Sequence, residues 1–440
     1  MSVLGIDISS VLTSTLLGAA FPYNPGFDIR SVANMAVSLP SHSWEYGAAT
    51  MALLELYNPE NSVFGDAPFP VPTIATPTNY AMLKGKEWIV IGEGKDGLSD
   101  GDGAAGDPAS LGVIAWMIGK TDQEYADATT GEVIYLTEQA PRWVNGSGAG
   151  AISQRADVAE LWSDFMYMVP PFLAFYAADQ GNETLLHESY KQCEYQRAVL
   201  KANETYYGSE PFYGIWHHII GPQSQDLGLW STGNGWAAGG MVRVLATILK
   251  APVAQSAAWK DQAVADLTTW LKEIIDGVMG SPLENGMVHN YMDVDGSIEA
   301  GRLYPEFAGS LMISNVIYRL AVLQPETFGA SYIKWADDVR TTLGGSDPAG
   351  YKHVSTNGTV APTVDPLNWF AQEPFTAGSP EANGFAVMMY SAWRDCIKAE
   401  KCTYEGTYGD FDIEADASVN VTLKRSHRRM HHLRRFEASF

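Results

Sequence analysis

Apolar side chains recur every three or four positions along most of this chain. Val264, Leu267, Leu271, Ile274, Ile275 and Val278 form one such stripe, the spacing of a single buried helix face. Comparable stretches predict helices over 46–57, 109–119, 172–179, 183–200, 236–250, 261–279, 308–323, 331–342 and 382–397. Some ends are readable. Asp107-Pro108 has the form of a cap followed by a first-turn proline, and Pro170-Pro171 presets another start. Gly181 can end the helix that Pro171 opens. Loops rich in glycine or aromatics lie between the helices at 92–106, 145–150, 206–235 and 281–306, and strand-like runs such as Trp88-Ile89-Val90-Ile91 are few.

Helices of similar length joined by alternately short and long loops predict an all-α toroid of helical hairpins. Its inner helices would be apolar on both faces, as Ala237 to Leu249 is, and its long loops would gather at one mouth. An irregular all-α domain has the same periodicity. The expected division is an N-terminal segment 1–30, a single barrel 31–415 and a disordered basic tail 416–440. Residues 9–21 are mildly apolar without a preceding basic region, so the first segment could be the remnant of a secretion signal.

Composition narrows the partners. The chain has 440 residues, 46% hydrophobic, enough for one large core. A net charge of −23 argues against nucleic acid. Residues 423–440 carry six Lys/Arg against one Glu, which leaves −28 on the rest. An acidic substrate would therefore need a local cation. Five sequons, at Asn145, Asn182, Asn203, Asn357 and Asn420, point to a secreted glycoprotein. Three cysteines cannot all pair. Cys396 and Cys402 could close a short loop or stay free. No run of ~20 apolar residues is present to span a membrane. No Cys/His/Asp set has ligand spacing, so neither a metal nor another cofactor is expected.

Two stretches combine aromatic and polar side chains just before a helix. One is Leu161-Trp162-Ser163-Asp164-Phe165, with a lone carboxylate between aromatics, and the other is Trp230-Ser231-Thr232-Gly233-Asn234-Gly235-Trp236. Between them lies Gly214-Ile215-Trp216-His217-His218. Two such mouths opening the same way could form a sugar site containing one acid.

With Ser43-Trp44-Glu45-Tyr46-Gly47, Asp107-Pro108-Ala109-Ser110-Leu111-Gly112 and Gly378-Ser379-Pro380-Glu381, these stretches resemble the six-hairpin glycosidases. They are most similar to glycoside hydrolase family 105, the unsaturated rhamnogalacturonyl or glucuronyl hydrolases, in its fungal branch. The resemblance implies an (α/α)6 barrel acting on the 4,5-unsaturated uronic acid that polysaccharide lyases leave, as in pectin degradation. In that chemistry an acid protonates the enol-ether double bond, water adds, and the hemiketal opens to release the chain. By position, the resemblance makes Asp164 the general acid/base, held between Trp162 and Phe165, where desolvation raises a carboxyl pKa. It makes His218 a substrate or steering residue, with His217 one register away, and Trp236 the sugar-stacking ring.

Trp44 and Trp162 are candidate walls. Asp107 is a second site carboxylate or the cap before Pro108, with the cap slightly preferred. Asn234 is expected to satisfy the unusual backbone of Gly-Asn-Gly rather than a ligand. Thr232 departs from the family's pattern, where an Arg holds the uronate. Another cation, from Arg142, Arg155 or Arg302, would have to lie near Thr232 and Trp236 if the substrate is a uronide. The expected protein is a monomer or dimer binding an acidic oligosaccharide. Two alternatives are an (α/α)6 hydrolase using Asp164 with Asp107, and a non-catalytic glycan-binding relative.

Overall fold

The computed structural model describes residues 21–202, 214–293 and 303–405. Among them twelve helices alternate between two rings. The outer ring holds α1 (Ile29–Ser38), α3 (Tyr80–Trp88), α5 (Gln123–Ile134), α7 (Glu183–Leu200), α9 (Lys260–Gly280) and α11 (Ala330–Leu343). The inner ring holds α2 (Ser43–Tyr57), α4 (Gly112–Gly119), α6 (Pro170–Gln180), α8 (Ser231–Lys250), α10 (Phe307–Leu323) and α12 (Pro380–Lys398). The two rings bury their surface differently. α9 buries one stripe, Ala263, Leu267, Trp270, Leu271, Ile274, Ile275 and Val278, whereas α8 is buried at every position from Ser231 to Ile248 and α10 from Phe307 to Ala321. The inner ring closes because α12 packs on both α10 and α2. The architecture is an (α/α)6 barrel.

Each outer helix reverses the chain, so all six inner helices run the same way. Their starts are set by local chemistry. Glu306 accepts hydrogen bonds from the amides of Gly309 and Ala308 at the head of α10, and Ser379 caps Pro380-led α12. Pro170 and Pro171 open α6, and Gly181 closes it at φ +64°. The far ends of the inner helices hold the buried cations. Glu55 of α2 accepts from Arg243 of α8 and Arg319 of α10. Arg319 also reaches Asp395 at 2.6 Å, and Arg394 donates to the Glu55 and Leu56 carbonyls at 2.7 and 2.8 Å. Cations thus gather towards the C-terminal ends of the inner helices, where the helix dipoles favour them, together with the carboxylates Glu55 and Asp395 that they neutralise.

All nine expected helices are present. α1, α3 and α5 fall where no helix was predicted, and Trp88 ends α3 instead of starting a strand. Asp107 does not cap: it lies inside a 3-10 turn, Asp107–Leu111, that runs into α4, and its side chain makes no cap bond. Gly-Asn-Gly needs no unusual backbone, because Gly233 and Gly235 are ordinary helical residues of α8. The glycines of α8 serve close approach. A Cβ on Gly240 would stand 1.7 Å from the Met166 carbonyl oxygen, and one on Gly233 would stand 2.3 Å from Ser163 Oγ.

A disulfide joins Cys396, in the last turn of α12, to Cys402 just beyond it, and Cys193 is free and buried. Among the described residues no helix is long and apolar enough to cross a membrane. Asn203, Asn420, Arg302 and the basic tail lie outside the described residues. Because the obstruction at Gly240 is backbone, Gly240→Ala should cost about 3 kcal/mol or more, measured by denaturant unfolding. A loss under about 0.5 kcal/mol would contradict this packing.

Candidate active site

The inner helices open into a cleft of about 250 Å³. Trp44 enters at the start of α2, Asp107 just before α4, Asp164 and Met168 before α6, Trp230 at the head of α8 and Glu381 at the head of α12. Arg155, Gln154, His42 and Trp369 complete the polar and aromatic walls.

A two-stranded ribbon brings the two main motifs together. β1 (Leu161–Trp162) pairs antiparallel with β2 (Ile219–Ile220), Trp162 facing Ile219. The Ser163 amide also donates to the His218 carbonyl at 2.9 Å. Asp164 and His218, 54 positions apart, are thereby locked side by side, with Asp164 Oδ2 3.4 Å from His218 Nε2. At that separation the contact is an ion pair rather than a well-formed hydrogen bond, and Nε2 has no hydrogen-bond partner. The other ring nitrogen, Nδ1, meets Asp226 Oδ2 at 2.9 Å. Asp226 also accepts from the Tyr291 hydroxyl and, at 3.1 Å, from the Gly228 amide. The His218 ring is enclosed by Trp230 at 4.4 Å, Trp369 at 5.4 Å and Trp162 at 5.7 Å between centroids.

This setting determines charge. Burial alone would lower the His218 pKa, but Asp164 and Asp226 outweigh it and raise it to about 9, so the imidazole is a cation at neutral pH. Burial pushes Asp226 up, but His218, Tyr291 and the Gly228 amide prevail and hold it below the ordinary carboxylate value. Asp107 is moved the other way, up to about 7. Burial is the main cause, opposed by a 2.6 Å hydrogen bond from Gln154 and reinforced by Asp164. Burial likewise raises Glu306 and carries Glu381 well above its ordinary value.

Asp164, His218, Trp162, Trp44 and Asp107 all line the cleft. His218 faces it, while the His217 ring turns to the Leu227 carbonyl. Trp162 is anchored by a 2.9 Å bond from Nε1 to Glu160, and Trp44 by one of 3.1 Å to Glu381.

Trp236 is elsewhere. It is fully buried between Tyr167 and Phe385, with ring centroids at 4.6 and 4.5 Å, and does not line the cleft. One and a half helical turns separate it from Trp230, the motif's other indole, which takes the wall position. Asn234 is spent on backbone as expected, donating to the Trp216 and Trp230 carbonyls and accepting from the Trp216 amide.

Thr232 is also buried, its hydroxyl donating to Glu306 at 3.2 Å. A cation near Thr232 and Trp236 could therefore not meet a ligand. The arginine that lines the cleft is Arg155, whose Nε has no hydrogen-bond partner, while Arg142 is committed to Gly150, Thr137 and Glu188. Sequence reasoning passed over Asp226, Gln154, Glu306, Glu381 and Trp369 as site residues. Two of them left a signal: Glu381 closes the motif Gly378-Ser379-Pro380-Glu381, and Asp226 lies eight positions after His218. Among the described residues no cluster of three His, Cys, Asp or Glu side chains is placed to hold a metal.

A carboxylate–imidazole pair under tryptophan walls, at the mouth of an (α/α)6 barrel, defines a glycoside hydrolase acting on an oligosaccharide. The chain belongs to Glycosyl Hydrolase Family 88, whose model matches residues 107–357. No curated protein sequence matches it. Among solved structures it resembles a possible family 105 member from Salmonella enterica, with 13% identity and a TM-score of 0.58 over 90% of this chain and 96% of that one. A family 105 hydrolase from C. acetobutylicum aligns at 14% and 0.58 over 83% and 99%. An unsaturated glucuronyl hydrolase specific for heparin aligns at 12% and 0.56 over 90% and 100%. At these identities the likeness is one of fold.

The elevated His218 pKa has a thermodynamic consequence. A histidine raised from 6.5 to about 9 on folding contributes stability that is complete below about pH 6.5 and lost as pH rises through about 9. Asp226→Asn removes much of that gain. Its deficit against the wild type should be largest near about pH 6 and shrink above about pH 9, as read from unfolding free energies at each pH. A deficit independent of pH would show that the imidazolium is not what Asp226 stabilises.

Proposed function

We propose that the protein removes a 4,5-unsaturated uronic acid from the non-reducing end of lyase-generated oligosaccharides. The observation that carries this reading is the Asp164–His218–Asp226 chain, which presents one carboxyl group to a cleft walled by tryptophans. Hydration of an enol ether needs one group that gives a proton and later takes one back. Asp164 would protonate C4 of the double bond. Water then adds to C5 of the oxocarbenium ion and returns a proton to Asp164. The hemiketal opens and expels the remaining chain, so the balance is one water consumed per bond cleaved. His218, held by Asp226, fixes the Asp164 carboxyl and offsets its charge between proton transfers. Trp44, Trp162 and Trp230 offer faces for the sugar ring.

The substrate carboxylate falls to Arg155, which lines the cleft and whose Nε makes no hydrogen bond, only a 3.9 Å ion pair with Asp157. The heparin-specific glucuronyl hydrolase of the same fold acts on an unsaturated uronide, in keeping with this reading. A second reading, hydrolysis by two carboxyls, is favoured by one observation: Asp107 lines the same cleft with its pKa raised to about 7, where an acid catalyst would operate. A secreted protein is supported by the Cys396–Cys402 disulfide and by the exposed sequons at Asn145, Asn182 and Asn357.

The test is a panel of lyase-generated oligosaccharides, followed by loss of the far-UV absorbance of the double bond. Asp164→Asn should lower turnover by ~10²-fold or more while still binding substrate, because the amide is nearly isosteric but has no carboxylic proton. Near wild-type turnover in that variant, or no absorbance loss with any lyase product, would contradict the proposal.

A further inference from the structure

Glu381 is the least expected group in the cleft. It stands in the first turn of α12, lines the cavity and is 2% exposed. Its Oε1 accepts the indole N–H of Trp44 at 3.1 Å, while its Oε2 is buried and has no hydrogen-bond partner. A buried carboxyl group normally finds a cation or several donors, and here the surroundings offer neither. Asp164 faces it from the loop before α6, Glu45 and the Trp44 indole from α2, and Glu306 from the head of α10. Glu45 is itself 3.6 Å from His42 Nδ1. Three carboxyl groups and one weak donor make an ionised Glu381 costly.

A neutral carboxylic acid has one O–H to give. Because Oε1 already accepts from Trp44, the proton belongs on Oε2, a buried oxygen with nothing to receive it, on a side chain that lines the cleft. The acceptor must come from the ligand. The acidic neighbours would repel a ligand carboxylate at this point, so a neutral sugar oxygen is the fitting partner.

We propose that Glu381 is a specificity-determining residue that binds the sugar as an uncharged acid, donating its Oε2 hydrogen to a hydroxyl oxygen of the substrate. This rests on the functional reading only in requiring a sugar in the cleft, and it holds whichever glycosidic bond is cut. The role differs from that of Asp164, which exchanges its proton, since Glu381 keeps its own. Burial is the first cause of its raised pKa, followed by Asp164 and Glu45, and all three favour the protonated form.

Two measurements test it. Glu381→Leu, of similar volume but without a donor, should raise KM by ~10-fold or more with a smaller effect on kcat, and Glu381→Gln, which offers an N–H at the same place, should restore KM to within ~3-fold of wild type. If Glu381→Gln is as impaired as Glu381→Leu, or if Glu381→Leu keeps its KM, the proposal is overturned. Should no lyase product be turned over, the same comparison is made by calorimetric titration of those oligosaccharides, so failure of the functional reading and failure of this proposal remain distinct. The second measurement needs only wild type and Glu381→Gln. Their infrared difference spectrum at neutral pH should contain a protonated-carboxyl C=O band that shifts when oligosaccharide binds. An ionised carboxylate signature in its place, or a band indifferent to the sugar, contradicts the assignment.

Discussion

Six inner helices that all begin at one mouth impose the constraint on which the rest of this protein depends. Each helix start presents unsatisfied amides and the positive end of a dipole, and together they make one end of the barrel a place where carboxyl groups can be buried. Glu306 shows this most directly, with its two oxygens accepting from the Gly309 and Ala308 amides and from the Ser231 and Thr232 hydroxyls. The opposite end has the complementary problem and solves it with Arg243, Arg319 and Arg394 around Glu55 and Asp395. The barrel is thus polarised, and the acidic mouth is the end where chemistry can occur.

Polarisation alone would give a cluster of similar acids. The side chains around each carboxyl separate them. His218 stands between Asp164 and Asp226 and becomes a cation. Asp107 has only a Gln154 amide and moves to about 7. Glu381 has only an indole N–H, and burial raises it too. A single cleft therefore holds carboxyls in different electrostatic settings, the arrangement by which acid and base roles are separated. Where the family resemblance implies an arginine at the head of α8, Thr232 bonds Glu306 instead, and among the described residues the arginine that lines the cleft is Arg155.

Much of the architecture was legible in the chain, because long amphipathic or wholly apolar stretches such as 261–279 and 308–323 are buried along their length. The short outer helices were not. α5, Gln123–Ile134, carries Thr129, Thr130 and Gly131 among its polar residues, and α3 is nine residues long with Gly85 in its middle, so neither shows a sustained stripe. Asp164 and His218 were legible through a resemblance, and the ribbon that aligns them explains why two distant motifs act as one. Trp236 misled for a physical reason. An indole at the start of an inner helix can face either the mouth or the barrel axis, and rotation about the helix settles which; here Trp230 takes the mouth and Trp236 the axis. Glu381 and Arg155 could not be placed from sequence, because burial and the lack of a partner are properties of the assembled ring.

The most direct measurement compares two oligosaccharides that differ only in the double bond of the terminal uronic acid, one a lyase product and the other its saturated counterpart. Hydration through Asp164 requires the unsaturated sugar. That substrate should be cleaved with loss of its far-UV absorbance, and the saturated one should be cleaved at least ~10²-fold more slowly. Comparable cleavage of both would mean that the carboxyls of the mouth act directly on the glycosidic bond, and would contradict the account.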